Sequence, residues 1–326
     1  MIDIHTVLVL GAGASIPYGY PSGPGLVKDI IHSLSKADRI NPNYHRQLVF
    51  MGFQEALISA FINDLMRSNV RSIDEFLECR PDYREIGKIA IAQSIIARER
   101  AFSREDLQDR VERGHYIYDK PDFWYAELIR AISGKSGEFV DNNLSIITFN
   151  YDRSLEYFLY DALMSKYGKS AEEKVIKTIC SLHINHVHGK LGDLPWEGGG
   201  HIRAYGAVKS DDELRAVGNL ITILYEGERQ SQEFERAYQS LHGAQRILFL
   251  GFGYHRSNLA RLGIDRFEPY EKNILGTRHG IEDLQVKNLA RKFTALKDLE
   301  KVPKDHCIHD FLQKVINLDG HEIGIA

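Results

Sequence analysis

Residues 6–15 read Thr-Val-Leu-Val-Leu-Gly-Ala-Gly-Ala-Ser. A short apolar and β-branched run closed by a Gly-Ala-Gly turn is the pattern of a buried strand that hands the chain to a tight loop. Two further stretches repeat the plan. Residues 144–149, LSIITF, lead into Asn150-Tyr151-Asp152, and residues 246–250, RILFL, lead into Gly251-Phe252-Gly253. Shorter strands are expected at 184–188 and 273–275. Helical stretches lie between them: 24–34, opened by Pro24 with Ser22 or Gly23 as its cap, then 152–164, 214–242, 283–293 and 310–316. Buried strands alternating with helices predict an α/β fold, a Rossmann-like parallel sheet with helices on both faces.

Residues 40–135 follow another rule. Phe53, Ala56, Leu57, Ala60, Phe61 and Leu65 recur at helical spacing, and 86–97 is again helical. Ser72-Ile73-Asp74-Glu75 is a capping-box pattern ahead of Phe76 and Leu77. A mostly helical insert at about 40–135 is therefore expected within one domain spanning 1–326. The apolar faces through Phe53, Leu57 and Phe61 exceed what one sheet is expected to cover, which predicts a homo-oligomer. The glycine-rich stretch 189–206 reads as irregular.

Composition narrows the function classes. A net charge of −4 over 326 residues gives no global attraction to nucleic acid or to a membrane surface, so direct nucleic-acid binding is not indicated. No apolar run approaches the roughly 20 residues of a membrane helix. The first residues, Met1-Ile2-Asp3-Ile4-His5, lack the basic and apolar regions of a secretory leader, and a cytoplasmic protein is expected. Cys79, Cys180 and Cys307 are odd in number and widely spaced, which leaves no disulfide framework and no paired-cysteine zinc site.

Four strand ends carry the residues of chemical interest. Gly11, Ala12, Gly13 and Ser15 could let the backbone approach a phosphate, with a following helix N-terminus favouring its charge. The dinucleotide fingerprint G-x-G-x-x-G is incomplete, because position 16 is Ile16. A tight turn needing glycine explains the motif equally well. Asn150 and Asp152 stand where a strand gives way to a helix. Taken alone they are plain capping residues. They also stand at the carboxyl edge of a parallel sheet, where open α/β folds bind ligands. His186 and His188 share one face if 184–188 is a strand. His183 precedes them, but no cysteine or carboxylate at ligand spacing accompanies the trio, and no metal site is expected. Gly251-Phe252-Gly253-Tyr254-His255 is the fourth turn.

Together, and in this order, GAGAS, TFNYD, HVHG and GFGYH resemble the motifs of the sirtuin superfamily over roughly residues 5–280. The four-cysteine zinc module of the deacylases has no counterpart here. The Gly19-Tyr20-Pro21-Ser22-Gly23 segment and the Ser72-Ile73-Asp74-Glu75-Phe76 stretch look like the prokaryotic sirtuin-like NAD-degrading proteins of anti-phage defence. That resemblance implies an NAD glycohydrolase acting in abortive infection, with NAD as substrate and no metal. Asn150 would position water or a ribose hydroxyl, His188 would contact the ribose hydroxyls and act as base, and Asp152 would hold the nicotinamide carboxamide. Gly11, Ala12, Gly13 and Ser15 would cradle the diphosphate, Gly251, Gly253 and Tyr254 would line the adenosine side, and Pro21 and Tyr151 would complete the binding residues. Control would come from oligomerisation, from the insert or from a separate translocase-type ATPase or sensor protein. Two other readings stay open: a non-catalytic subunit binding NAD or ADP-ribose, and an NAD-dependent deacylase.

Overall fold

A computed structural model describes residues 2–35, 44–101, 122–133, 141–223, 232–268 and 271–318. Parts of two sequence expectations lie outside the described residues: 40–43, 102–121 and 134–135 of the insert, and 224–231 of the 214–242 helix. The core is one five-stranded sheet, all parallel, in the order β3-β2-β1-β4-β5. Its strands are β1 Thr6–Leu10, β2 Leu144–Thr148, β3 Ile184–His186, β4 Arg246–Leu250 and β5 Asn273–Gly276. This is the predicted Rossmann-like α/β architecture.

Strand register sets where the motifs emerge. Leu10 lies beside both Thr148 and Leu250, and Thr148 lies beside His186. The segments starting at Gly11, Phe149, Val187 and Gly251 therefore leave the sheet along one edge. The chain first moves outward from β1 to β2 and β3, then returns to place β4 on the other side of β1. That reversal makes the β1–β4 boundary the topological switch point, where loops diverge and leave a crevice.

Side chains alternate across the pleat, so β1 feeds two cores. Leu8 and Leu10 join Ile146, Leu248 and Leu250 on one face. Val7 and Val9 join Ile147, Ile247 and Phe249 on the other. The second face is covered by helices Gln232–Gly243 and Asp283–Lys292 and by the 3-10 segment Thr294–Lys301, which buries Leu296 and Leu299. On the first face lie α1 Gly23–Leu34 and the insert helices α2 Tyr44–Phe50, α3 Glu55–Ser68, α4 Ile73–Cys79 and α5 Arg84–Ala101. Among the described residues the insert contains no strand.

Two expectations need correction. The 214–242 stretch is not one helix: Asp211–Asn219 ends before a non-helical 221–223, and the next described helix is Gln232–Gly243. Val217 and Leu241 keep helical spacing within each piece, but both pieces turn their apolar faces inward separately. The premise for self-association also fails. Phe61 is fully buried within the chain, Leu57 packs against the same core, and Phe53 is half-buried beneath the Arg215 guanidinium, 5.3 Å from its ring centroid. Those three side chains are covered within the chain, while Phe50 and Met66 of the insert stay exposed. No described helix is long and apolar enough to cross a membrane.

Candidate active site at the carboxyl edge

The glycines of the first and fourth motifs are explained by each other. A Cβ on Gly11 would stand 2.5 Å from the Gly251 carbonyl oxygen, and one on Gly13 would stand 2.7 Å from it. Gly251 itself has φ +57, and its Cβ would meet the Ala14 nitrogen at 2.2 Å. The Gly13 N–H donates to the Gly251 carbonyl at 2.9 Å. The β1 and β4 loops are thus pressed backbone to backbone, and any side chain there would prise them apart. After Gly11 the chain makes two 3-10 turns, Ala12–Ala14 and Ile16–Tyr18, and α1 begins only at Gly23. Ser22 is its cap, accepting from the Gly25 N–H at 3.2 Å. The helix terminus expected directly behind the glycine turn is therefore displaced, and half-buried Pro21 sits on the loop just ahead of it.

Asn150 is not a helix cap. Its Nδ2 donates to the Gly11 carbonyl at 3.0 Å and to Ser15 Oγ at 2.9 Å, tying the β2 turn to the β1 turn. Those bonds orient the amide, so Oδ1 is the atom left for a hydroxyl or a water. The helix Ser154–Tyr167 starts later, and Asp152 Oδ1 serves its first turn by accepting from the Ser154 N–H at 3.1 Å and from the Ser154 hydroxyl. Burial raises the Asp152 carboxyl above its ordinary range, only partly offset by its Ser154 and Ser15 hydrogen bonds.

The two histidines do not share one environment. β3 ends at His186, and the chain turns before His188. His186 faces an acceptor with each nitrogen: Nδ1 lies 2.9 Å from the Asn150 carbonyl oxygen, and Nε2 lies 2.7 Å from Glu156 Oε1. His188 is buried among rings, with Phe149, Phe234 and Tyr151 centroids at 5.4, 5.8 and 6.1 Å. Its Nδ1 has no hydrogen-bond partner among the described residues. Burial holds its pKa below the ordinary imidazole value, against a counter-pull from Asp74. Gly189, directly after it, has φ +77, and its Cβ would meet the Leu220 carbonyl at 2.1 Å. No group of side chains able to hold a metal ion is found among the described residues.

The insert reaches this edge. Ser72 caps α4, accepting from the Glu75 N–H at 3.2 Å. The Tyr151 hydroxyl donates to Asp74 on the same turn, and Arg261 Nη2 lies 3.1 Å from Glu78 Oε1. Asp74 read in the sequence as an acidic residue of the first helical turn; only the fold aims it at Tyr151 and His188. Below the site, Glu99 takes Arg153 at 3.0 and 2.9 Å and Arg203 at 2.7 Å, all three buried. This triad, invisible in the sequence, anchors the turn after Asp152 to α5 and to the glycine-rich 189–206 stretch. That stretch is irregular as expected, apart from one bridge between Asp193 and Ile202.

Not every proposed binding residue is well placed. Tyr254 is buried, and its hydroxyl donates to the Thr277 carbonyl at 3.0 Å, so it belongs to the second core. Gly253 is exposed beyond it. Ala12, Gly13 and Gly251 are half-buried, whereas Gly11, Ser15, Asn150, Tyr151, Asp152 and His188 are buried. The fold therefore brings Ser15, Asn150, Asp152 and His188 to one edge, next to the loops from β1 and β4. The chain matches no protein-family model and no curated protein.

Proposed function

We propose that this chain hydrolyses the nicotinamide–ribose bond of NAD, giving nicotinamide and ADP-ribose. The observation that supports this most is His188: a buried imidazole with its pKa held below the ordinary value, Nδ1 unpartnered among the described residues, and its ring 6.1 Å from that of Tyr151 in the Asn150 turn. A buried polar atom without a partner is costly, and such an atom at a sheet edge is suited to a ligand. In the reaction, water attacks the anomeric carbon of the ribose. The carbon–nitrogen bond breaks, and its electron pair leaves with nicotinamide, which becomes neutral. Asn150 Oδ1 orients the water or a ribose hydroxyl, and His188 takes the proton released. Asp152, whose carboxyl is raised above its ordinary range by burial, faces the carboxamide of the leaving group and can accept from its N–H. The backbone of Gly11–Ser15 stands beside the diphosphate.

By the same resemblance the activity serves anti-phage defence in the cytoplasm, under the control of self-association or of a separate ATPase or sensor. The test is an assay of purified chain with the fluorescent analogue etheno-NAD, with and without the proteins encoded beside it. Release of nicotinamide and etheno-ADP-ribose in equal amounts is the expected result, lost in Asn150→Ala. Binding of NAD without turnover under every condition would favour a non-catalytic subunit. Turnover that requires an acylated peptide would favour a deacylase.

A further inference from the structure

A separate cavity of about 440 Å³ opens between α2, α5 and the segment leading into helix Asp211–Asn219. It is remote in sequence from the four strand-end motifs and within the size range of small-molecule sites. Three cations line it: Arg46, Arg100 and Lys209. Arg100 is oriented by its Nε, which donates to the Gly206 carbonyl at 2.8 Å. Neither the Arg100 nor the exposed Lys209 side chain forms a salt bridge among the described residues; Glu213 accepts only from the Lys209 backbone N–H, and the Asp211 carboxylate, which also lines the cavity, is engaged by Gln47.

The fourth feature is a buried acceptor. Asp211 Oδ1 can only accept, so the 2.7 Å contact with Gln47 sets that amide with its nitrogen toward the carboxylate. Gln47 Oε1 then faces Gln93 and accepts from its Nε2 at 2.9 Å. The relay leaves Gln93 Oε1 as the odd atom: Gln93 is 4% exposed, and Oε1 has no partner among the described residues. Gln47 and Gln93 both line the cavity. At its mouth the Phe50 ring is 71% exposed, with the Arg46 guanidinium 5.3 Å from its centroid.

We infer that this cavity binds a mononucleotide. Its phosphate meets Arg46, Arg100 and Lys209, an amino group of its base donates to Gln93 Oε1, and the flat ring lies toward Phe50. Cations alone would accept any anion. The fixed acceptor and the aromatic edge are what ask for a base as well as a phosphate.

Calorimetric titration of the full chain with AMP, GMP, adenosine and inorganic phosphate tests this. AMP or GMP is expected to bind with a Kd below about 1 mM and at least about tenfold more tightly than adenosine or phosphate. The double variant Arg46→Glu/Lys209→Glu should weaken it a further tenfold or more, and Gln93→Leu should narrow the gap between nucleotide and phosphate. His188→Ala should leave binding intact, which separates this cavity from the proposed NAD site. If the charge reversal does not fold, Arg46→Gln/Lys209→Gln serves, with a fall in affinity expected on raising salt. The inference is overturned by any of three results: no nucleotide binding at millimolar concentration, phosphate binding as tightly as nucleotide, or affinity unchanged in the charge variants.

Discussion

His186 and His188 stand two residues apart and live in different worlds. His186 is closed in by polar partners on both nitrogens, the Asn150 carbonyl and Glu156. Its imidazole holds the Glu156 carboxyl below its ordinary range, overriding the burial that pushes it up. His188 is closed in by aromatic rings and leaves Nδ1 without a partner among the described residues. The first arrangement is a strut between β2, β3 and the helix Ser154–Tyr167. The second is, on the proposed reading, the base of the reaction, and its burial is a cost that the fold bears without local return. Sequence spacing alone would give both residues the same role. Their partners separate them.

The largest expected effect separates them by activity. His188→Ala should cut NAD turnover by about 10²–10⁴-fold, the range for loss of a general base, with little change in melting temperature. His186→Ala removes the partner of a buried carboxylate and should cost about 3–5 kcal/mol of stability, read by urea denaturation. If His188→Ala is as active as wild type, or loses as much stability as His186→Ala, the comparison collapses and both are struts.

A pH series sharpens it. His188 is held neutral in the fold, with a pKa below the unfolded imidazole value of 6.5. In the window between the two values the unfolded chain binds the extra proton, so stability falls as pH drops below about 6.5 and stops falling beneath the folded pKa. Melting temperatures of wild type and His188→Phe should diverge in that window, wild type showing the steeper loss toward acid. Parallel curves would mean that His188 is not buried as a neutral base.

The smallest effect concerns Asp152. Its pKa is raised by burial, so the stability it contributes is complete below the unfolded carboxyl value and is lost as pH rises through the higher folded one. Asp152→Asn keeps an acceptor for Ser154 and removes the buried charge. It should be neutral or stabilising by about 1 kcal/mol at pH 7, with a smaller gain at pH 4, while NAD turnover declines. A loss of stability at pH 7 would show that the charge itself is used by the fold.

Residues 6–10, 144–148 and 246–250 could be read as buried strands because, Ser145 and Arg246 apart, every side chain in them is apolar or β-branched, and such runs sit most stably in the middle of a covered sheet. The same local logic narrowed the cap of α1 to Ser22 or Gly23, of which the structure has Ser22, and found Ser72 as the cap of α4, since a hydroxyl one residue ahead of an apolar-periodic stretch acts on its own neighbours. It also put the four glycine, asparagine and histidine motifs at strand ends. Partners across the chain were beyond its reach. That Gly11 and Gly13 are glycine because Gly251 lies against them, that Asn150 braces the β1 turn instead of capping a helix, and that Asp74 of the insert meets Tyr151 are facts about residues separated by 77 to 240 positions. Strand order decided them. Setting β4 beside β1 and the insert over the same edge brings distant backbones within a few ångströms, and the choice among roles open to one residue is made by what then stands next to it.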